Sequence, residues 1–253
     1  MIRVGVLSPH AAEGAEAEFP LMAPSHVRTT ISRIRAAGSN RDAAAPPPAT
    51  ADDLRALATH EAIDEAVAAF APGSVDIIGY ASTGTAYALG YKAEARLVER
   101  VSKRWAVPVC STSMSAVEAL RSFGTHRVAL VHPPWFGAAL SDLGVEYFRS
   151  QGFQVVASSL ADVPNDPDLV APRMVVDWIA CHVGDDAEAV FIGGNGFRAA
   201  PAIDDLEKRL GRPVLESNQV LLWSILARAG ASPVVRGFGT LFETPPQNRD
   251  GGR

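Results

Sequence analysis

Three strand-to-loop segments each occur twice in this chain, in the same order, and that repeat constrains the fold more than any single element. Val4–Pro9 and Val128–Pro133 are strand-like runs that lead into His and Pro. Ile77–Gly84 and Val190–Gly196 are apolar runs that open into small and polar residues. Pro108-Val109-Cys110-Ser111-Thr112-Ser113 and Pro213-Val214-Leu215-Glu216-Ser217-Asn218 each follow an amphipathic helix and precede another. Further strand-like runs at Arg127–Val131 and Gln154–Ala157 alternate with helical stretches such as Ala51–Ala71, Ala93–Trp105, Leu140–Gln151, Pro172–Val183, Ile203–Leu210 and Gln219–Ala229. Val/Ile-rich strands alternating with helices predict parallel βαβ units. The chain therefore reads as an α/β fold of two pseudo-symmetric halves. One holds residues 1–112 plus 217–253, the other 113–216. Ligands of open α/β sheets sit at the carboxyl ends of strands, so the paired loops are expected to line one interdomain cleft. Thr50 and Asp53 read as a capping box. The Pro46-Pro47-Pro48 segment reads as an exposed loop, and the tail from Pro245 as disordered.

Composition removes several function classes. Lys+Arg number 23 against 28 Asp+Glu, a net charge of −5, which leaves nothing to neutralise a run of phosphates, so no nucleic-acid partner is expected. No apolar stretch approaches the roughly 18 residues of a membrane span. The N-terminus enters a strand at once without a signal-peptide pattern, and the expected location is cytoplasmic. Cys110 and Cys181 cannot form a disulfide framework or a four-ligand zinc site. Gly193-Gly194-Asn195-Gly196 lacks the dinucleotide spacing, no phosphate-loop motif occurs, and no histidine pair has metal spacing. Lys103 and Lys208 sit in amphipathic helices, which gives a Schiff base little support. No cofactor or metal is expected.

The chemistry-bearing candidates lie on the paired loops. Ser82-Thr83-Gly84-Thr85 can turn backbone N–H groups toward a carboxylate or oxyanion, against the plainer reading of an ordinary strand-to-helix turn. Gly194 and Gly196 free the matching loop for close approach, and Asn195 offers both a donor and an acceptor. His10 and His132 follow equivalent strands and are candidates for acid–base work, titrating near about pH 6–7. His26, His60, His126 and His182 read as surface or helix-end residues. Cys110 is placed at a strand end in the cleft lining, more as a small hydrophobe than as a nucleophile, and Cys181 reads as structural.

These segments, with Tyr80-Ala81-Ser82-Thr83, Ile203 through Gln219, and Gly237-Phe238-Gly239-Thr240-Leu241-Phe242, resemble the aspartate/glutamate racemase superfamily. The branch is that of maleate cis–trans isomerases and arylmalonate decarboxylases. The resemblance implies two Rossmann-like domains with parallel-rich sheets, a carboxylate site between them, no cofactor, and association as homo-oligomers. It also implies a cysteine at each paired strand end in the isomerases and racemases and only the second in the decarboxylases; those positions align with Ser82 and Gly194, so both thiols are absent. Thr83, Asn195 and Gly196 match positions that cradle a substrate carboxylate, with Pro9, Gly84 and Gly194 beside them. Asn165 aligns with a substrate-contacting asparagine. Trp135 or His132 takes the corner where a tyrosine is usual. The expectation is a cofactor-independent enzyme on a small mono- or dicarboxylic acid, with Ser82, His10 and His132 as the catalytic candidates. A decarboxylase, a lyase or hydrolase on the same scaffold, and a carboxylate-binding protein without chemistry remain open alternatives.

Overall fold

Apolar β-branched runs pair in register to form two four-stranded sheets, seen in a computed structural model that describes residues 1–10, 12–23, 25–36, 50–231 and 235–244. The first sheet, in the order β2-β1-β3-β4, comprises β1 (Ile2–Ser8), β2 (Val27–Arg33), β3 (Ile77–Tyr80) and β4 (Val109–Ser111). The second, β6-β5-β7-β8, comprises β5 (Arg127–His132), β6 (Gln154–Leu160), β7 (Ala189–Ile192) and β8 (Val214–Glu216). Every strand pair is parallel. The repeated segments occupy matching places. Leu7 faces Tyr80 as Val131 faces Ile192, and Ile78 faces Val109 as Val190 faces Val214. The Pro46-Pro47-Pro48 loop and the tail from Pro245 lie outside the described residues.

The register corrects one expectation. With Leu7 equivalent to Val131, His132 matches Ser8, and His10 lies two residues further along its own loop. The two histidines are therefore not symmetry mates, although each follows or ends the corresponding strand.

The helices are α1 (Ala15–Met22), α2 (Ala51–Leu57), α3 (His60–Ala68), α4 (Thr83–Leu89), α5 (Tyr91–Trp105), α6 (Thr112–Ser122), α7 (Gly137–Arg149), α8 (Pro172–His182), α9 (Ile203–Leu210) and α10 (Ser217–Arg228). The helix expected over 51–71 is two helices. Thr59 accepts from the Ala62 N–H and starts α3, a local alternative that breaks the run. Thr50 and Asp53 do form the capping box of α2.

Two central helices join the halves. Helix α10 is buried from Ser217 to Leu226. Its Leu221 and Ile225 share one core cluster with Val4 and Ile77 of the first sheet and Val190 and Ile192 of the second. Gly79 in β3 permits the approach, since a Cβ there would lie 3.0 Å from Ile225 Cδ1. Helix α6 packs Ala116, Val117 and Leu120 among Val128, Leu130 and Phe191 of the second sheet. Each fully buried Leu or Ile is worth about 1.5–3 kcal/mol relative to exposure, so these helices bind the halves mainly by apolar burial. Among the described residues, no helix is long and apolar enough to cross a membrane.

Candidate functional site

Ser82 ends the first-sheet segment as the N-cap of α4. Its Oγ accepts from the Thr85 N–H at 3.2 Å and lies 2.7 Å from Thr85 Oγ1. His10 Nε2 is 3.5 Å from the same Oγ, longer than a good hydrogen bond and within reach of a small rotation. His10 is half-buried, its backbone N–H donating to Ser8 Oγ at 3.3 Å. Burial first, and the Arg33 guanidinium second, lower its imidazole to about 4, with Glu16 opposing. Glu16 is itself ion-paired with Arg33. At neutral pH His10 is thus a neutral base beside a hydroxyl, and its inflection moves from the expected pH 6–7 region to about 4.

Thr83 and Asn195 form the centre of a buried polar network that joins the halves. Asn195 Oδ1 accepts from the Thr83 N–H at 3.0 Å and from Thr83 Oγ1 at 3.2 Å. Asn195 Nδ2 donates to Thr112 Oγ1 at 3.1 Å and to Asn218 Oδ1 at 2.8 Å. Thr83 Oγ1 accepts from the Gly194 N–H at 3.2 Å and lies 3.1 Å from Ser217 Oγ. The pattern is itself near-symmetric, because Thr83 meets the first residue of α10 while Asn195 meets the first residue of α6. The Asn195 and Thr83 side chains are thereby committed to each other, and what they offer a ligand is a rigid backbone.

The second cysteine-aligned position is closed. Gly194 has φ +98°, and a Cβ there would lie 2.9 Å from both Pro133 Cδ and Cγ. Gly84 faces Leu54 and Leu140 at 3.1 and 3.3 Å from a would-be Cβ, so it is packed between elements. Among the described residues, Gly196 has only Ala12 Cβ nearby, at 3.6 Å from its own would-be Cβ. Pro9 is buried at the end of β1. Trp135 lies in a 3-10 turn, Pro134–Phe136, edge-on to Phe197 with centroids 5.7 Å apart. Asn165 is exposed in the loop after β6. Arg198, which follows the Asn195–Phe197 turn, holds the next part of that loop by donating to Pro167 O at 2.9 Å and to Asp168.

His132 sits beneath the site. It is fully buried, Nδ1 lies 3.0 Å from Ser141 Oγ, Nε2 lies 3.2 Å from the Tyr87 hydroxyl, and the ring stacks on Phe136 at 5.3 Å. A Cβ on Gly193 would meet His132 Cδ2 at 2.6 Å. Burial lowers His132 to about 3. A histidine in the unfolded chain titrates near 6.5. Between that pH and about 3 the unfolded state therefore binds a proton the native state refuses, and stability is lost as pH falls through this window. At about 1.4 kcal/mol per pH unit, a His132→Gln variant should lose roughly 2–3 kcal/mol less than the parent between about pH 7 and 4.5. Urea unfolding at both pH values checks this, and equal losses would remove His132 from the acid response.

The remaining sulfur and imidazole groups lie elsewhere. Cys110 is buried with its Sγ 3.5 Å from Ser224 Oγ, and burial pushes it up to about 11. It lines a cavity of about 450 Å³ with Val98, Met114 and Arg228, and no candidate site residue lines that cavity, so the expected place in the cleft is corrected. Cys181 is exposed rather than packed. His26, His60, His126 and His182 are exposed. Among the described residues no group of three or more His, Cys, Asp or Glu is placed to hold a metal.

Sequence reasoning did not assign Glu18, Thr112, Ser217 or Asn218 to the site. The repeat carried a signal for the last three, since Thr112-Ser113 and Ser217-Asn218 are matched polar pairs at strand ends.

Comparison with known proteins agrees with the two-sheet α/β fold. The arylmalonate decarboxylase family model matches residues 57–242. A maleate isomerase of Pseudomonas putida is 25% identical over 258 residues, covering 96% of this chain and 97% of the relative. A maleate cis–trans isomerase of Nocardia farcinica, solved with a covalently bound succinylcysteine intermediate, superposes with a TM-score of 0.82 at 21% identity, covering 95% of this chain and 98% of that one. A crystal structure of arylmalonate decarboxylase gives a TM-score of 0.78 at 18% identity, covering 95% and 99%.

Proposed function

The chain belongs to the arylmalonate decarboxylase family, and from that premise we propose that it is a cofactor-independent enzyme moving a proton on a small mono- or dicarboxylic acid without a cysteine pair. The observation that carries the reading is Ser82 Oγ beside the neutral His10 ring, at the strand end where relatives are expected to hold a thiol. Maleate isomerases among the relatives support the substrate class.

In this reading the backbone N–H groups of Gly84, Asn195 and Gly196 hold the substrate carboxylate, those of Thr83, Thr85 and Gly194 being bonded within the site. Thr83 and Asn195 keep that cradle rigid, and Pro9, Gly84, Trp135 and Asn165 shape its rim. Preorganised donors stabilise an enediolate-like charge as it develops, which supplies most of the rate. His10 Nε2 takes the Ser82 proton when the hydroxyl turns away from Thr85. The seryl oxygen then takes the proton of the reacting carbon and the His10 imidazolium gives one back to it, which returns both groups to their starting states. Because Gly194 is closed by Pro133, proton traffic runs on the Ser82 side alone. That one-sidedness favours decarboxylation or isomerisation over a two-base racemisation. His132 contributes by packing under Gly193. The division into residues 1–112 with 217–253 and 113–216, action in the cytoplasm, and homo-oligomer formation belong to the same proposal. Helix α10 packing against β3 supports that division.

Incubation with maleate, aspartate, glutamate and substituted malonates in deuterated buffer, followed by NMR, tests the reading. Turnover should fall by about 10²–10⁴ in Ser82→Ala and in His10→Gln. The parent should keep a flat rate at neutral pH and lose activity only as pH nears 4, where His10 gains its proton. Full turnover in both variants would overturn the assignment. Binding of these acids without turnover or label uptake would leave a carboxylate-binding protein.

A further inference from the structure

Glu18 lies on α1, outside the candidate site, yet its carboxylate ends the hydrogen-bond chain that orients it. Glu18 Oε2 accepts from Asn218 Nδ2 at 2.6 Å, and Oε1 accepts from the Ala200 N–H at 2.9 Å. The same Asn218 Nδ2 donates to the Asn195 carbonyl at 2.8 Å, while Asn218 Oδ1 accepts from Asn195 Nδ2. With its amide nitrogen turned to Glu18, Asn218 presents only oxygen to the Asn195 side chain. Asn195 must then turn its own oxygen to Thr83.

We infer that Glu18 is a positioning residue, whose ionised carboxylate sets Asn218 and, through it, the Asn195 amide that locks the two strand-end loops together. This rests on the reading of the Gly194–Gly196 loop as part of a carboxylate site. The geometry favours the charge. Each Glu18 oxygen accepts one N–H, and the ionised carboxylate is the form that holds both of those bonds most strongly. Glu216, the second buried acid of the network, is arranged differently. Its Oε2 accepts from the Asn218 and Gln219 N–H groups at 2.8 and 3.0 Å, and its Oε1 has no partner among the described residues. A proton on that oxygen disturbs no bond. The bonds to both of its oxygens thus favour Glu18 over Glu216 as the holder of negative charge.

The groups that act on this charge are few. Burial raises Glu18, and the bonds from Asn218 and Ala200, with the Arg198 guanidinium, oppose it. Burial and the Glu18 charge raise Glu216. Lowering the pH should therefore release the Asn195 lock within a range where ordinary surface carboxylates are already ionised.

The test is NMR of the ¹⁵N-labelled full chain, following the side-chain NH₂ resonances of Asn195 and Asn218 from about pH 8 to 4, with malonate as the ligand probe. The two resonance pairs should move together with one midpoint above the usual carboxylate range of about 4. Glu18→Gln, which removes the charge and sets an NH₂ against one of the two N–H donors, should displace both pairs and weaken malonate binding roughly tenfold. Glu216→Gln should leave the shifts in place and malonate affinity within about twofold. Unmoved resonances in Glu18→Gln, or displaced ones in Glu216→Gln with Glu18→Gln intact, would overturn the inference. If Glu18→Gln does not fold, the parent titration decides, and resonances fixed across the range refute the role. Responsive resonances in a protein that binds no malonate would instead count against the carboxylate-site reading and leave the lock standing.

Discussion

Asn195→Ala is expected to lower the unfolding free energy by about 3–5 kcal/mol, among the largest single-residue effects this chain should show. Asn195 is buried, and its side-chain amide is bonded to Thr83, Thr112 and Asn218. Truncation leaves the Thr83 N–H, the Thr112 hydroxyl and Asn218 Oδ1 short of partners in a site that excludes bulk water. An unsatisfied buried group costs about 1–3 kcal/mol, and entering water recovers part of that. Asn195→Asp should be worse than its near-identical shape suggests. An oxygen would replace the donor that faces Asn218 Oδ1, and a second charge would join Glu18. Urea unfolding at neutral pH measures both variants. A loss below about 1 kcal/mol in Asn195→Ala would show that the network does not join the halves.

Gly194→Cys, the substitution that would return a thiol to the second strand end, is expected to destabilise the protein by about 2–5 kcal/mol without raising turnover. Two costs add. The backbone at φ +98° is one that side chains rarely adopt, and the new Cβ would press on the Pro133 ring at 2.9 Å. The first costs about 1–2 kcal/mol and the second about 1–3 kcal/mol. The melting temperature should fall by roughly 10 °C in a chain of this size. Adding Pro133→Ala should recover the contact cost and leave the backbone cost. A well-folded, more active Gly194→Cys protein would show that the second position is merely unoccupied, and the one-sided chemistry proposed above would fail with it.

Some of this molecule was legible from local pattern. Val4, Val6, Val128, Val131 and Val190 sit in β-branched runs that make strands whatever surrounds them, and the doubled segments gave away the two-sheet plan. Element β2 escaped notice. Its Val-Arg-Thr-Thr-Ile-Ser-Arg run is a half-exposed edge strand, and only Val27 and Ser32 are buried. Helix α4 escaped because Gly84 and Thr85 are weak helix formers. Ser82 caps it, and Leu54, Leu140 and Phe136 pack around it. Helix α1 carries Pro20 within it and has no side-chain cap, so it offered little periodic or terminal signal.

The sequence alone determined the α/β class, the order of the paired segments and the presence of Ser82, Thr83, Gly194 and Asn195 on matched loops, because strand propensity and repeat order are local properties. Tertiary structure decided what those residues do. It offset His10 from His132 by two positions, buried His132 between Tyr87 and Ser141, and closed Gly194 with Pro133. It also brought Glu18 to Asn218 across 200 residues of chain. A buried polar group must find its partner wherever the fold supplies one, and the side-chain partners of Asn195 come from the opposite half.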